Sequence, residues 1–277
     1  MKRKKQIDTA IRLIIMIISG LIVIFPLVLT VMNSFKNAAE IGENVLALPT
    51  TFNFDNFKEA WKRLNFAQAF KQTFLVALVS TIGEVVIAGM TGYWIVRHPN
   101  KFTKTWHTLI MCAMCVPFQC IMITFSKVMV GVLNLGNTIF GVAIAFWVIT
   151  LPMSMFLVSG AVKSVPVEIE EAANIDGCGS FKTYWEIVFP MIRGTIFSII
   201  TLNLMKYWND YMMTSFILTK KPSRTIQIAV HMLFNDTYFT WPVAVAAVTL
   251  SILPLFIFFV FAQKQVMGGA TDGAVKG

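Results

Sequence analysis

An all-α membrane protein with six transmembrane helices is the fold class this sequence predicts, and three observations predict it. The 277 residues are 56% hydrophobic, with a mean hydropathy of +0.70 and only 13% charged residues, which is too apolar for a soluble domain of this length. The apolar residues gather into six runs, 11–33, 72–96, 107–130, 139–162, 195–218 and 242–263, each near the ~20 residues that cross a hydrocarbon core. A lipid-exposed backbone must satisfy its own hydrogen bonds, so each run is expected to be a helix.

The first span follows Met1-Lys2-Arg3-Lys4-Lys5, a positive cluster that is retained on the cytoplasmic side. A secretory signal is the competing reading, but residues 13–32 are uncharged, longer than the ~7–15 residues of a signal core, and an uncleaved span fits better. An even number of spans then puts both termini in the cytoplasm of a multi-pass cell-membrane protein. Of the 23 Lys and Arg, thirteen fall on that side, eight on the other and two, Lys127 and Lys206, within spans. The net charge of +9 is explained by basic tails and turns facing an anionic inner leaflet; no nucleic acid is required. Three regions result: 1–71, with the tail, the first span and an outer loop; 72–263, with spans two to six; and 264–277, a Gly-rich cytoplasmic tail. The outer loop interleaves aromatic and charged residues (Phe52, Phe54, Phe57, Trp61, Lys62, Arg63) and is expected to fold as a small cap.

Glu84 lies within the second span, and ionisable groups there are rare and default to a functional hypothesis. It is expected to pair with Lys127 or Lys206, or else to line the translocation path. In the third span, Cys112 and Cys115 form a C-x-x-C spacing with no second Cys or His set to complete a metal site, so packing is the expected role. Pro117 and Gln119 can break this span and offer a polar patch, as helix breaks at membrane depth do in transporters. Gly131-x4-Gly136-Asn137-Thr138 resembles a phosphate loop without its lysine, and it reads as an outer turn. Glycines at 83, 89, 92, 141 and 160 allow close helix approach. In the fifth span, Trp208-Asn209-Asp210 places an aromatic face beside polar groups, a candidate for the substrate pathway, although it can also tie spans together. His98, His107 and His231 are scattered, and no Ser/His/Asp or H-E-x-x-H set is present. No catalytic or metal site is expected.

The stretch 163–194 stands apart as a polar, acid-bearing island between the fourth and fifth spans. Pro166 suits a first helical turn, Glu168, Glu170 and Glu171 suit a positive helix N-terminus, and Gly177 suits the left-handed turn that ends a helix. A second short helix is expected from Ser180, a plausible N-cap, until Pro190 resets the chain into the fifth span. Surface amphipathic helices tend to be basic on their polar face, whereas this pair is acidic, so docking to another protein is the better reading.

Glu171-Ala172-Ala173-x3-Gly177-x9-Ile187-x-Phe189-Pro190 resembles the EAA motif of ABC importer permeases, E-A-A-x3-G-x9-I-x-L-P, with Phe189 in place of Leu. Leu48-Pro49, Val116-Pro117-Phe118-Gln119, Tyr207-Trp208-Asn209-Asp210-Tyr211 and the ending Gly273-Ala274-Val275-Lys276-Gly277 are similar to the carbohydrate branch, close to the second permease subunit of maltose-type systems. The resemblance implies a type I ABC importer permease fold with a coupling helix between spans four and five, in which Glu168, Glu170, Glu171, Ala172, Ala173, Asp176, Gly177 and Pro190 meet a cytoplasmic ATPase. It implies a second homologous permease, two ATPase subunits that carry the ATP and Mg, and an extracellular or periplasmic substrate-binding protein delivering a carbohydrate. The chain itself is then no enzyme and binds no cofactor. A glycerol-phosphate importer has a similar permease; an ion-coupled carrier or channel using Glu84, Lys127 and Asp210, and a membrane-embedded enzyme, are the readings of other classes.

Overall fold

In the computed structural model, the backbone is described for residues 2–236 and 239–274 and side chains for 9–236 and 239–263. Among the described residues every regular element is helical. Four helices are long and apolar enough to cross a membrane, and up to six spans result if each of two bent pairs, 101–113 with 118–132 and 180–191 with 193–209, is one span; the second pair takes in part of the island and not the expected run 195–218 alone. The chain divides into two units, residues 1–67 with 229–254 and residues 68–228 with 255–277.

The first unit begins with α1 (Lys2–Asn33). The outer segment that follows is built around Phe35, whose ring meets Phe52, Phe54 and Phe57 at 5.3, 5.3 and 5.0 Å. Asn56 Nδ2 donates to the carbonyls of Ser34 and Lys36, both at 2.9 Å, so the loop is closed by backbone as well as by rings. Helix α2 (Ala38–Glu43) starts with a capping box in which Asn37 and Glu40 satisfy each other's backbone N–H groups. The Thr50 hydroxyl, bonded to Glu40, holds that carboxyl below the usual carboxylate range. Helix α3 (Asp55–Leu64) ends at Asn65 in the left-handed region, φ 47°.

The second unit holds most of α4 (Phe66–Arg97). After Asn100, which caps α5 (Lys101–Ala113) in a reciprocal pair with Thr103, the third span turns by 103° before α6 (Phe118–Lys127) and a π turn at Val128–Val132. Pro117 stands at the start of α6, so the expected break is a sharp reversal of direction. The 131–138 turn is structural: Asn137, at φ 59°, accepts from the Lys220 N–H at 2.7 Å and the Ser223 hydroxyl at 3.1 Å, and its own N–H donates to the Ile217 carbonyl.

Helix α7 (Ile139–Lys163) packs closely on α4. A methyl at Gly83 would collide with the Trp147 ring, and the Trp147 Nε1–H donates to the Ser80 carbonyl at 2.8 Å. Helix α8 (Val167–Ile175) follows, then α9 (Ser180–Thr183), a π turn at Tyr184–Val188 and α10 (Phe189–Met191). The chain then bends by 81° into α11 (Arg193–Asn209).

Two expectations are corrected here. Ser180 is the first helical residue and Gly179 precedes it without a side-chain cap, and the bend comes at Ile192, two residues beyond Pro190, because proline is tolerated in the first turn of a short helix. The expected continuous run 195–218 is also interrupted, at Asp210–Tyr211, before α12 (Met212–Ile217).

Residues 219–241 contain a helix, α13 (Ile226–Phe234), reached through a short 3₁₀ turn at Lys221–Ser223. The last helix, α14 (Trp241–Ala274), carries the sixth span and runs on through most of the stretch expected as a tail; residues 275–277 of the matched ending lie outside the described residues.

Candidate functional site

The island forms a knuckle of two short arms. Gly177 takes φ +86°, and the Cys178 and Gly177 N–H groups reach back to the carbonyls of Ala173 and Asn174 at 2.9 and 3.0 Å. That is the paired C-terminal closure that needs a left-handed residue, for which glycine is the unstrained choice. Pro166 lies just before α8 rather than within its first turn; the residue before it, Val165, is buried and ends the connection from α7.

Burial sorts the acidic face of α8. Glu168 and Glu171 are exposed with Ala172, whereas Glu170 and Ala173 are buried. The Glu170 carboxylate accepts on Oε1 from Arg97 Nε at 2.8 Å and Nη2 at 2.5 Å, and on Oε2 from the Tyr93 hydroxyl at 2.9 Å. The same Arg97 Nη2 donates to the carbonyls of Val162 and Val165, at 3.1 and 2.9 Å, at and just beyond the end of α7. Arg97 and Glu170 side chains are 13% and 7% exposed. The expectation that all three carboxylates and both alanines lie on the outward face is therefore corrected: Glu168, Glu171 and Ala172 are exposed, while Glu170 and Ala173 face this chain's own core. Asp176 is exposed at the C-cap, and Pro190 is exposed in α10.

Beneath the knuckle lies a core of Tyr93, Val158, Val162, Val165, Tyr184, Val188, Ile192, Ile196 and Ile199. It joins α4, α7, the second arm and α11, so that arm is seated on three helices. The outward side carries apolar residues that the acid pattern hid, Ile175 at 86% exposure and Phe181 at 67%. Exposed groups of that size beside carboxylates make a surface suited to a partner.

A second group of candidate residues lies at the two broken spans. Ser126 of α6 donates to the carbonyl of Phe216 of α12 at 3.2 Å, which brings the interrupted third and fifth spans together. Pro117, Gln119 and Lys127 are exposed in α6 and at its start. Asn209 is exposed, and its Nδ2 donates to the Met205 carbonyl, while Asp210 accepts from the Thr214 N–H at 2.8 Å and so stabilises the start of α12. Trp208 is buried and edge-on to Phe70 at 5.8 Å, which corrects the expectation that its ring faces the pathway.

Glu84 is fully buried. Its carboxylate lies beside Thr150 and Ser154, yet neither oxygen has a partner of ordinary hydrogen-bond geometry among the described residues. Thr150 is engaged with the Phe146 carbonyl and the Tyr207 hydroxyl, at 2.8 and 2.7 Å, whereas Ser154 accepts from Asn203 Nδ2 at 3.0 Å and keeps its own proton to donate. Neither Lys127 nor Lys206 forms the expected ion pair with it among the described residues; both lysine side chains are exposed. Glu84 thus sits inside the bundle of α4, α7 and α11.

Relatives and folds agree with this layout. The chain is 31% identical to a probable starch degradation products transport system permease protein (AmyC) of Thermoanaerobacterium thermosulfurigenes, over 99% of both chains. It is 28% identical to a multiple sugar-binding transport system permease protein (MsmG) of Streptococcus mutans, over the whole of both. Its fold matches a chain of a bacterial ABC transporter involved in the import of the acidic polysaccharide alginate, with a TM-score of 0.83 over 95% of this chain and 97% of that one, at 19% identity. Residues 84–267 match the family described as "Binding-protein-dependent transport system inner membrane component". The helical bundle, its broken spans and the match over that range make this chain a member of the binding-protein-dependent transport system inner membrane component family.

Proposed function

We propose that the chain is one of two homologous permease subunits of an ATP-driven importer for sugars, with oligosaccharides as the cargo class, working by alternating access. A binding protein outside the membrane delivers the sugar, two cytoplasmic ATPase subunits hold ATP and Mg, and both termini of this chain face the cytoplasm. The observation that carries the reading is the knuckle: a short helix with exposed Glu168, Glu171 and Ala172 and exposed apolar Ile175, anchored through Glu170 to the ends of two spans. Closure of an ATPase pair around that helix would push a rigid element whose far side is part of the membrane bundle. The sugar class is supported by relatives named for starch products and multiple sugars.

Glu171→Lys reverses the charge of the outward face and Gly177→Trp cannot hold the left-handed turn. Both are expected to abolish uptake and sugar-stimulated ATP hydrolysis by the purified complex while membrane insertion is unchanged. Normal uptake by both would sink the coupling role. The cargo follows from ATP hydrolysis by the complex with its binding protein against mono-, di- and trisaccharides and glycerol phosphate. Stimulation by glycerol phosphate alone would favour the anionic cargo that the exposed Lys127 invites.

A further inference from the structure

We propose that Arg97 and Tyr93 are positioning residues that carry movement of the coupling helix α8 into the second span, with Glu170 as the fixed handle; the proposal rests on the importer reading above. Among the described residues, Glu170 is the one side chain of α8 that hydrogen-bonds to or pairs with another element. Both of its oxygens are taken, one by the Arg97 fork and one by Tyr93. A carboxylate held on both oxygens cannot pivot about one bond, so α8 cannot rock without either breaking several charge-assisted hydrogen bonds or taking α4 with it.

The second arm grips the same face of α4. Gly89, Tyr93 and Arg97 are spaced i, i+4, i+8 and so line one helical stripe. At the first position a methyl would collide with the Tyr184 hydroxyl; at the second the Tyr93 and Tyr184 rings lie 5.1 Å apart; at the third Arg97 holds Glu170 and the end of α7. Two arms that pack against one stripe over two helical turns transmit a push as displacement of the whole helix. Packed elements of this kind shift between discrete arrangements rather than deform gradually. Adjacent glutamates therefore do different work: Glu171 receives the push from outside, and Glu170 passes it inward.

The test uses the assembled complex in lipid nanodiscs, with and without the hydrolysis-resistant analogue AMP-PNP and Mg2+, read by hydrogen–deuterium exchange. In the wild type, nucleotide is expected to alter exchange in both 166–179 and 84–97. Arg97→Ala, and Glu170→Gln as the variant that keeps shape, are expected to retain the response in 166–179 and lose it in 84–97. ATP hydrolysed per sugar imported is expected to rise about tenfold. Arg97→Lys keeps the charge but not the planar fork, and should recover part of that ratio. If the response in 84–97 survives in both variants, the proposal fails. The same holds if the variants merely lower the amount of folded complex and leave the ratio of ATP to sugar unchanged. A wild-type complex with no nucleotide response in 166–179 would instead overturn the importer reading.

Discussion

Two buried glutamates in this chain have opposite surroundings. Glu170 lies under the knuckle with an arginine fork and a tyrosine hydroxyl on its oxygens. Glu84 lies in the bundle beside the Thr150 and Ser154 hydroxyls, with no cation paired to it among the described residues. The first is a joint whose removal takes the carboxylate from a part-buried guanidinium; the second is a carboxyl with no ion-pair partner among the described residues. Burial of an acid therefore says little about its role until its partners are known.

The largest effect is expected from Glu170→Leu, which leaves the part-buried Arg97 without its carboxylate and with only the carbonyls of Val162 and Val165. It should destabilise the complex by about 3–5 kcal/mol, read as a drop in the thermal unfolding midpoint of detergent-purified complex. The opposite sign is expected from Glu84→Leu, which exchanges an unsatisfied carboxyl for an apolar group of similar size. A gain of about 1–3 kcal/mol should follow in the same assay. Loss of uptake in that variant, with stability raised, would mean that the bundle carboxyl is used in transport, and the contrast between the two glutamates would have to be redrawn. The smallest effect is expected at the turn beyond the joint. Asn100→Ala removes the side-chain cap of α5 and should lower stability by about 1 kcal/mol without altering the ATP-to-sugar ratio.

The four unbroken apolar helices were legible in the sequence because a bilayer demands about 20 apolar residues in each crossing. The turn at Gly177 was legible too, since its left-handed geometry selects for glycine. The bend at Ile192 was not, because it falls on an apolar residue packed into the core beneath the knuckle rather than on the proline before it. Nor could α13 be seen: nine mostly apolar residues, interrupted by Gln227 and His231, are too few for a span and read as loop. The inward direction of Glu170 was hidden for a different reason. Three acids on nine residues look alike in one dimension, and what distinguishes them is Arg97, far back along the chain. A spacing of four from Tyr93 to Arg97 on a span's last turns was the available clue, since a cation at a helix end beside a tyrosine can close on an acid brought from elsewhere.

The fork of Arg97 has a practical meaning for anyone exchanging parts between permeases. It hydrogen-bonds to a carboxylate of α8 and to two carbonyls at the end of α7 at once, so the knuckle is not a self-contained cassette. A chimera that transplants 163–194 alone would bring in a new Glu170 environment under an old arginine. The unit that travels intact is discontinuous, the knuckle together with Gly89, Tyr93 and Arg97. A change at any one of those positions disturbs the contacts of the others.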